Sequence, residues 1–97
     1  MDLIIERPWP VGTGGVQKVY RAPNGYGASV IQTVGSYGYD YGLWELAVIE
    51  FKGDTERYKV THDTPITDDV LGYLEMEEVR RILQQIADLP PREEDHA

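Results

Sequence analysis

The chain has 97 residues, of which 41% are hydrophobic and none is cysteine, so it fits a single globular domain without disulfides or thiolate metal sites. The net charge of −8 is concentrated in residues 61–97, where three Lys and Arg face ten Asp and Glu, a balance of −7. Such acidity disfavours nucleic acid and membrane surfaces as partners and favours basic proteins. No apolar run suits a signal peptide or a membrane span, so we expect a soluble cytoplasmic protein.

The first sixty residues carry the patterns of a series of β-strands. Apolar residues 3–5 begin the series, and residues 16–21 (VQKVYR) form a second strand rich in β-branched and aromatic side chains. Asn24 and Gly25 are the strongest hairpin signal in the chain and lead into a strand over residues 28–34. Residues 43–51 (LWELAVIEF) are apolar on both faces, which predicts a central strand, and residues 57–62 form a further one.

The hydrophobic period changes after His62. We predict a short helical turn in which Thr67 is the N-cap and Asp68 and Asp69 lie in the first turn. An amphipathic helix follows and ends at two prolines; its apolar stripe consists of Met76, Val79, Ile82, Leu83, Ile86 and Leu89. We expect Met76, Val79, Leu83 and Ile86 to pack on the sheet with Trp44 or Leu46. The predicted fold is α+β, an antiparallel meander of about four strands with a C-terminal helix on one face. Residues 1–89 form the domain and residues 90–97 an acidic flexible tail.

The sequence contains no clear motif for phosphate binding, nucleophilic catalysis or metal binding. The segments GTGGVQKV and NGYGAS resemble phosphate loops only in glycine content, because each precedes a predicted strand instead of a helix. Ser29, Ser36 and His62 lack a nucleophile elbow. The spacing of Asp63, Asp68 and Asp69 matches no calcium loop. We therefore predict no catalytic residues, metal or cofactor, and favour a protein that is not an enzyme.

Tyrosines alternate along the loop SYGYDYG. If this loop is extended, Tyr37, Tyr39 and Tyr41 point to one side and Asp40 to the other. Tyrosine, serine and glycine together are typical of binding loops, although the rings would equally serve to cover an open face of the sheet. The candidate binding surface consists of Tyr26, Tyr37, Tyr39, Asp40, Tyr41, Asp68 and Asp69.

Four stretches match a shared pattern: PNGYGASV at residues 23–30, SYG at 36–38, LWELAV at 43–48 and DTPITDDV at 63–70. In this pattern the chain resembles a group of small proteins encoded by tailed phages and prophages of actinobacteria. The resemblance covers residues 23 to about 87. Those proteins place Thr or Ser as a helix cap where this chain has Glu75. The resemblance implies a phage accessory protein made in the host cytoplasm and brings no activity with it.

Three hypotheses for function follow from these patterns. The first is a module that binds a host protein through the tyrosine loop and the acidic helix, for host takeover or counter-defence. The second is an enzyme or small-ligand binder with a pocket between loop 35–42 and segment 63–69. The third is an acidic DNA mimic, although Arg80 and Arg81 interrupt its negative field. None of the three involves direct binding to nucleic acid or membrane.

Overall fold

The chain forms one antiparallel sheet with a C-terminal helix on one of its faces, so the predicted α+β class is confirmed. The computed structural model describes residues 1–9, 14–67 and 69–92. A 3-10 turn, Tyr39–Tyr41, lies between the third and fourth strands. The regular elements are β1 (Asp2–Pro8), β2 (Val16–Arg21), β3 (Tyr26–Gln32), β4 (Trp44–Phe51), β5 (Tyr58–Val60), β6 (Val70–Leu74) and α1 (Met76–Ala87).

The described part of the sheet has six strands, more than the predicted four. β1 to β4 form a meander, and the free edge of β4 is then shared by two short strands. β5 pairs with Ile49–Phe51 near the end of β4, whereas β6 pairs with its beginning, where Leu74 lies opposite Trp44. Two strands can share this edge because β5 has only three residues and leaves the rest of the β4 backbone unpaired.

The helical turn predicted at Thr67 is wrong. The hydroxyl of Thr67 accepts a hydrogen bond from the backbone N–H of Asp69 at 3.0 Å, but this bond closes a turn that leads into β6. The apolar residues that follow pair with β4, with Val70 opposite Ala47 and Leu71 opposite Leu46. Sheet pairing therefore prevailed over a local capping signal, because the open edge of β4 offers partners to this backbone.

The main core lies between the sheet and α1. Leu46 and Val48 of β4 point to the same face as Ala28 and Val30 of β3, since successive strand residues alternate. Val79, Leu83 and Ile86 of α1 pack on them, and Trp44 and Met76 lie at the margin of the same cluster. The predicted packing of Met76, Val79, Leu83 and Ile86 on the sheet with Trp44 or Leu46 is confirmed.

The opposite face of the sheet carries a second cluster of Val19, Ile49 and Phe51. A buried polar side chain, Gln17, closes over it: its Nε2 donates to the hydroxyls of Ser29 at 2.9 Å and Tyr58 at 3.2 Å. A bond from β2 to β5 across two intervening strands requires the sheet to curve toward this face. Strand β4 is therefore buried on both faces, as its apolar sequence predicted.

Both ends of α1 are tied to the chain by specific hydrogen bonds. At the start, Glu75 is the N-cap, and its backbone N–H donates to Oε1 of Glu78 at 3.2 Å in a capping box. At the end, Nδ2 of Asn24 donates to the carbonyls of Ile86 at 2.8 Å and Leu89 at 3.0 Å. The β2–β3 hairpin predicted at Asn24 is confirmed, and it also caps the helix.

Arg92, within the segment 90–97 that was predicted as a tail, is bonded to the domain. The N–H of Arg92 donates to the carbonyl of Asn24 at 2.9 Å, and its Nη2 donates to the carbonyl of Phe51 at 2.7 Å. Residues 93–97 lie outside the described ranges. The chain is therefore hydrogen-bonded to the domain as far as Arg92.

Candidate functional site

The loop between β3 and β4 is folded, not extended as the tyrosine alternation assumed. At its start, the hydroxyl of Ser36 donates to the carbonyl of Thr33 at 2.8 Å and accepts from the N–H of the same residue at 3.0 Å. The 3-10 turn Tyr39–Tyr41 follows, between Gly38 at φ 96° and Gly42 at φ 70°. Both glycines adopt the left-handed conformation, which L side chains disfavour, and so reverse the chain at each end of the turn. Successive side chains in the turn are about 120° apart, so the expected one-sided row of rings is wrong.

The loop is fastened to the sheet at two points. The N–H of Tyr37 donates to Oε1 of Glu45 on β4 at 3.1 Å, and the carbonyl of Tyr37 accepts from the N–H of Tyr73 on β6 at 3.3 Å. Glycine is needed on both sides of this contact: a Cβ at Gly72 would collide with Tyr37, and one at Gly38 would lie 2.9 Å from the Cα of Tyr73. The loop is thus held by β6 as well as by its own hairpin.

Tyr73 brings a fourth ring to the loop, and its backbone is strained. It has φ 56°, the only positive value for a non-glycine residue within the described ranges. Its ring lies 6.3 Å from that of Tyr41, with the planes tilted by 46°. Holding a non-glycine residue in this conformation costs about 1–3 kcal/mol of folding free energy, and such positions concentrate at functional sites.

Four tyrosines thus form one exposed surface at the end of the sheet where β4 begins; we call Tyr37, Tyr39, Tyr41 and Tyr73 the tyrosine surface. Tyr41 is 77% exposed, Tyr37 58%, Tyr73 57% and Tyr39 37%. A shallow cavity of about 150 Å³ lies between these rings and is lined by residues 35–41 together with Tyr73. The side chain of Asp40 also lines it, so an acidic group accompanies the aromatic rings.

The structure brings together only some of the residues predicted for the binding surface. Tyr37, Tyr39, Asp40 and Tyr41 share one cavity. Tyr26 is at the opposite end of β3, half-buried, and packs against the main core. Asp69 is exposed in the turn before β6, and Asp68 lies outside the described ranges.

Sequence reasoning missed Tyr73, because the segment that carries it was predicted to be helical. A signal was present: Tyr73 follows a glycine, as Tyr26 and Tyr39 do. The predicted pocket between loop 35–42 and segment 63–69 also differs from the observed cavity, whose second wall is Tyr73. No residue of segment 63–69 is among those that line this cavity.

Other site types and known proteins give no further assignment. Among the described residues, no three His, Asp or Glu side chains are grouped closely enough to hold a metal ion. None of the helices in the described ranges has the length and apolar content needed to cross a membrane. A scan of protein-family models and searches of curated proteins and of solved structures found no match to this chain.

Proposed function

We propose that the protein is a binding module that engages another protein through the tyrosine surface. The observation that carries this proposal is that four exposed tyrosines from two separate elements, the β3–β4 loop and β6, line one cavity, with the rings of Tyr41 and Tyr73 6.3 Å apart. Exposed aromatic groups on one patch are unusual on a monomer and mark interaction surfaces. Tyrosine is also the residue that gives large contact area at low entropic cost.

The rigidity of the patch supports recognition over simple coverage of the sheet. The main core and the second cluster already fill the two faces of β4 without Tyr37, Tyr41 or Tyr73. The patch is nevertheless fixed by hydrogen bonds to Glu45 and Tyr73, and it includes a strained backbone position. Ordering the loop backbone before binding reduces the entropy lost when a partner docks.

Charge and resemblance together suggest the kind of partner. Asp40 lies within the patch, and the chain has a net charge of −8, so a basic surface would be attracted to it. The resemblance to phage proteins suggests a host protein in the cytoplasm, bound for host takeover or counter-defence. The acidic DNA mimic is a related alternative, in which exposed acids such as Glu77 and Asp69 replace the tyrosines as the principal contacts.

The test separates binding from stability. The partner is first captured from host lysate and identified by mass spectrometry, and its affinity for the purified chain is then measured for Tyr41→Ala and Tyr73→Ala. We expect at least one substitution to weaken binding by about 2 kcal/mol or more, because exposed aromatic anchors dominate interfaces. Leu3→Ala, which truncates a side chain 46% exposed on β1, is the matched control and should leave affinity unchanged.

Two results would contradict the proposal. If both tyrosine variants bind normally but melt at lower temperature, the rings serve the fold. If the partner instead dissociates steeply with added salt and with neutralisation of Glu77 and Asp69, while the tyrosine variants bind normally, the DNA-mimic alternative prevails. A co-purifying metabolite in place of a protein partner would favour the small-ligand hypothesis.

A further inference from the structure

A second cavity, of about 500 Å³, lies at the other end of the sheet, beside the last residues of β4 and the start of β5. Four basic residues line it: Lys52, Arg57, Lys59 and Arg92; we call this site the cationic cavity. Glu50 is the acidic residue in its lining. A local excess of positive charge in a chain of net charge −8 is the observation from which the inference starts.

Three of these four cations form no ion pair among the described residues, although Asp54 and Glu56 lie in the same loop as Lys52 and Arg57. Lys59 lies opposite Glu50 in the β4–β5 pair, and its Nζ is 3.1 Å from Oε1 of that residue, so these two charges offset each other. Lys52, Arg57 and Arg92 form no ion pair with any other described residue. Three positive charges around one cavity repel one another and attract a multivalent anion.

Arg92 supplies the most specific feature of the site. Its Nη2 donates to the carbonyl of Phe51, and its backbone is bonded to Asn24, so the guanidinium is fixed at the cavity wall. Its Nε is buried and has no hydrogen-bond partner in the described part of the chain. A buried donor on a charged group costs free energy unless an acceptor reaches it. An oxyanion in the cavity would meet this guanidinium at Nη1, because Nε is buried and Nη2 already donates to Phe51.

The loop that carries Lys52 and Arg57 is held in place by Arg21 of β2, whose guanidinium lies 4.4 Å from the centre of the Phe51 ring. Arg21 on β2 donates from Nη1 to the carbonyl of Thr55 at 2.8 Å and from Nη2 to the carbonyl of Gly53 at 2.7 Å. The N–H of Lys52 donates to the carbonyl of Arg57 at 2.9 Å, which closes the hairpin. The backbone positions of both cations are therefore set before any ligand enters.

We propose that the cationic cavity binds a small multivalent oxyanion of the phosphate-monoester class. Arg92 and Arg57 are the expected hydrogen-bond donors, with Lys52 as an additional point charge. The volume of the cavity accommodates a small organic phosphate, and the uncompensated charge discriminates against anions with a single charge. This site is separate from the tyrosine surface and does not depend on the protein-binding proposal.

The test is an NMR titration of the full chain with inorganic phosphate at about pH 8, where phosphate is a dianion, at constant ionic strength. Amide signals of Lys52, Gly53 and Arg57 should shift and saturate, while acetate at the same ionic strength should not produce saturation. Arg57→Gln should weaken phosphate binding about tenfold or more, because a charge-assisted bond is lost. Arg81→Gln, on the exposed face of α1, removes the same charge far from the cavity and should have no effect.

Three outcomes would overturn the proposal. Shifts that stay linear with phosphate concentration would show only general ion association. An equal loss of phosphate affinity in Arg57→Gln and Arg81→Gln would show that the net charge of the protein, not the cavity, controls binding. Saturation by acetate with the same affinity as phosphate would remove the multivalent selectivity. Arg92→Gln serves as a second variant, and its melting temperature is measured first because Arg92 is bonded to Phe51.

Discussion

Asn24 joins the β2–β3 hairpin to the end of α1, and replacing it tests whether this junction stabilises the domain. Its Nδ2 donates to the carbonyls of Ile86 at 2.8 Å and Leu89 at 3.0 Å, and its Oδ1 accepts from the N–H of Tyr26 at 3.1 Å. A net contribution of about 0.5–1.5 kcal/mol for each bond gives about 2–4 kcal/mol for Asn24→Ala. A domain of this size has a free energy of unfolding of roughly 5–15 kcal/mol, so the loss is a large fraction of the total.

The assay is urea unfolding followed by tryptophan fluorescence, together with thermal melting. Each kcal/mol should lower the melting temperature by about 4–8 °C in a domain of 60–100 residues, so a loss of about 2–4 kcal/mol corresponds to a decrease of roughly 8–32 °C. Asn24→Asp is the sharper variant, because it keeps the acceptor for Tyr26 but replaces the donor with a carboxylate. That carboxylate would face the negative end of the helix, where carbonyl groups already concentrate negative charge.

The two variants distinguish the donor Nδ2 of Asn24 from its acceptor Oδ1. If the donor to Ile86 and Leu89 is important, Asn24→Asp should be at least as destabilised as Asn24→Ala at neutral pH. The difference in free energy of unfolding from wild type should then narrow as the pH falls towards about 4, because the new carboxyl becomes protonated in the folded state and can donate again. A free energy of unfolding for Asn24→Asp within about 0.5 kcal/mol of wild type would refute the role of this junction.

The remaining predictions concern the core, the tyrosine loop and one half-buried phenol. Leu83→Ala should lower the free energy of unfolding by about 2–5 kcal/mol in urea titrations, whereas the exposed Gln85→Ala should change it little. Gly38→Ala should broaden or shift the NMR signals of Tyr73, because the alanine Cβ would press on the Tyr73 backbone and Gly38 itself has φ 96°. An unchanged spectrum would mean that the loop adapts. Burial, with the nearby charge of Glu6, raises the pKa of Tyr20 above its usual 10, so its contribution to stability is complete below about pH 10 and is lost as pH rises through the folded-state pKa. Tyr20→Phe should remove that alkaline component from the pH dependence of unfolding.

Local signals predicted those parts of the fold whose partners are close in sequence. The strand at residues 16–21 has the same bounds in the structure, because its β-branched and aromatic pattern and the following Asn24–Gly25 turn are sufficient to define it. The helix was predicted from its 3.6-residue stripe, and its end was marked by Pro90. Both signals lie within the segment that they describe.

Strand β6 could not be predicted in this way, because its stability depends on a distant partner. Val70 and Leu71 gain their hydrogen bonds from β4, and that edge is open only because β5 is short. Sequence alone does not reveal how much of an edge a preceding strand leaves free. The candidate site was incomplete for the same reason, since Tyr73 reaches the loop only through this pairing.

The two proposed surfaces can be tested independently because β4 separates them. The tyrosine surface lies beside the beginning of β4, where Trp44 pairs with Leu74 of β6, and the cationic cavity lies beside its end at Phe51. Eight residues of extended strand span about 25 Å, well beyond the Debye length of about 8–10 Å at physiological ionic strength. A substitution at Arg57 should therefore leave the field at Tyr41 almost unchanged, and the reverse should also hold. If Arg57→Gln altered partner affinity while Tyr41→Ala altered phosphate binding, the two surfaces would have to be coupled through β4 itself, and both proposals would have to be revised into one site.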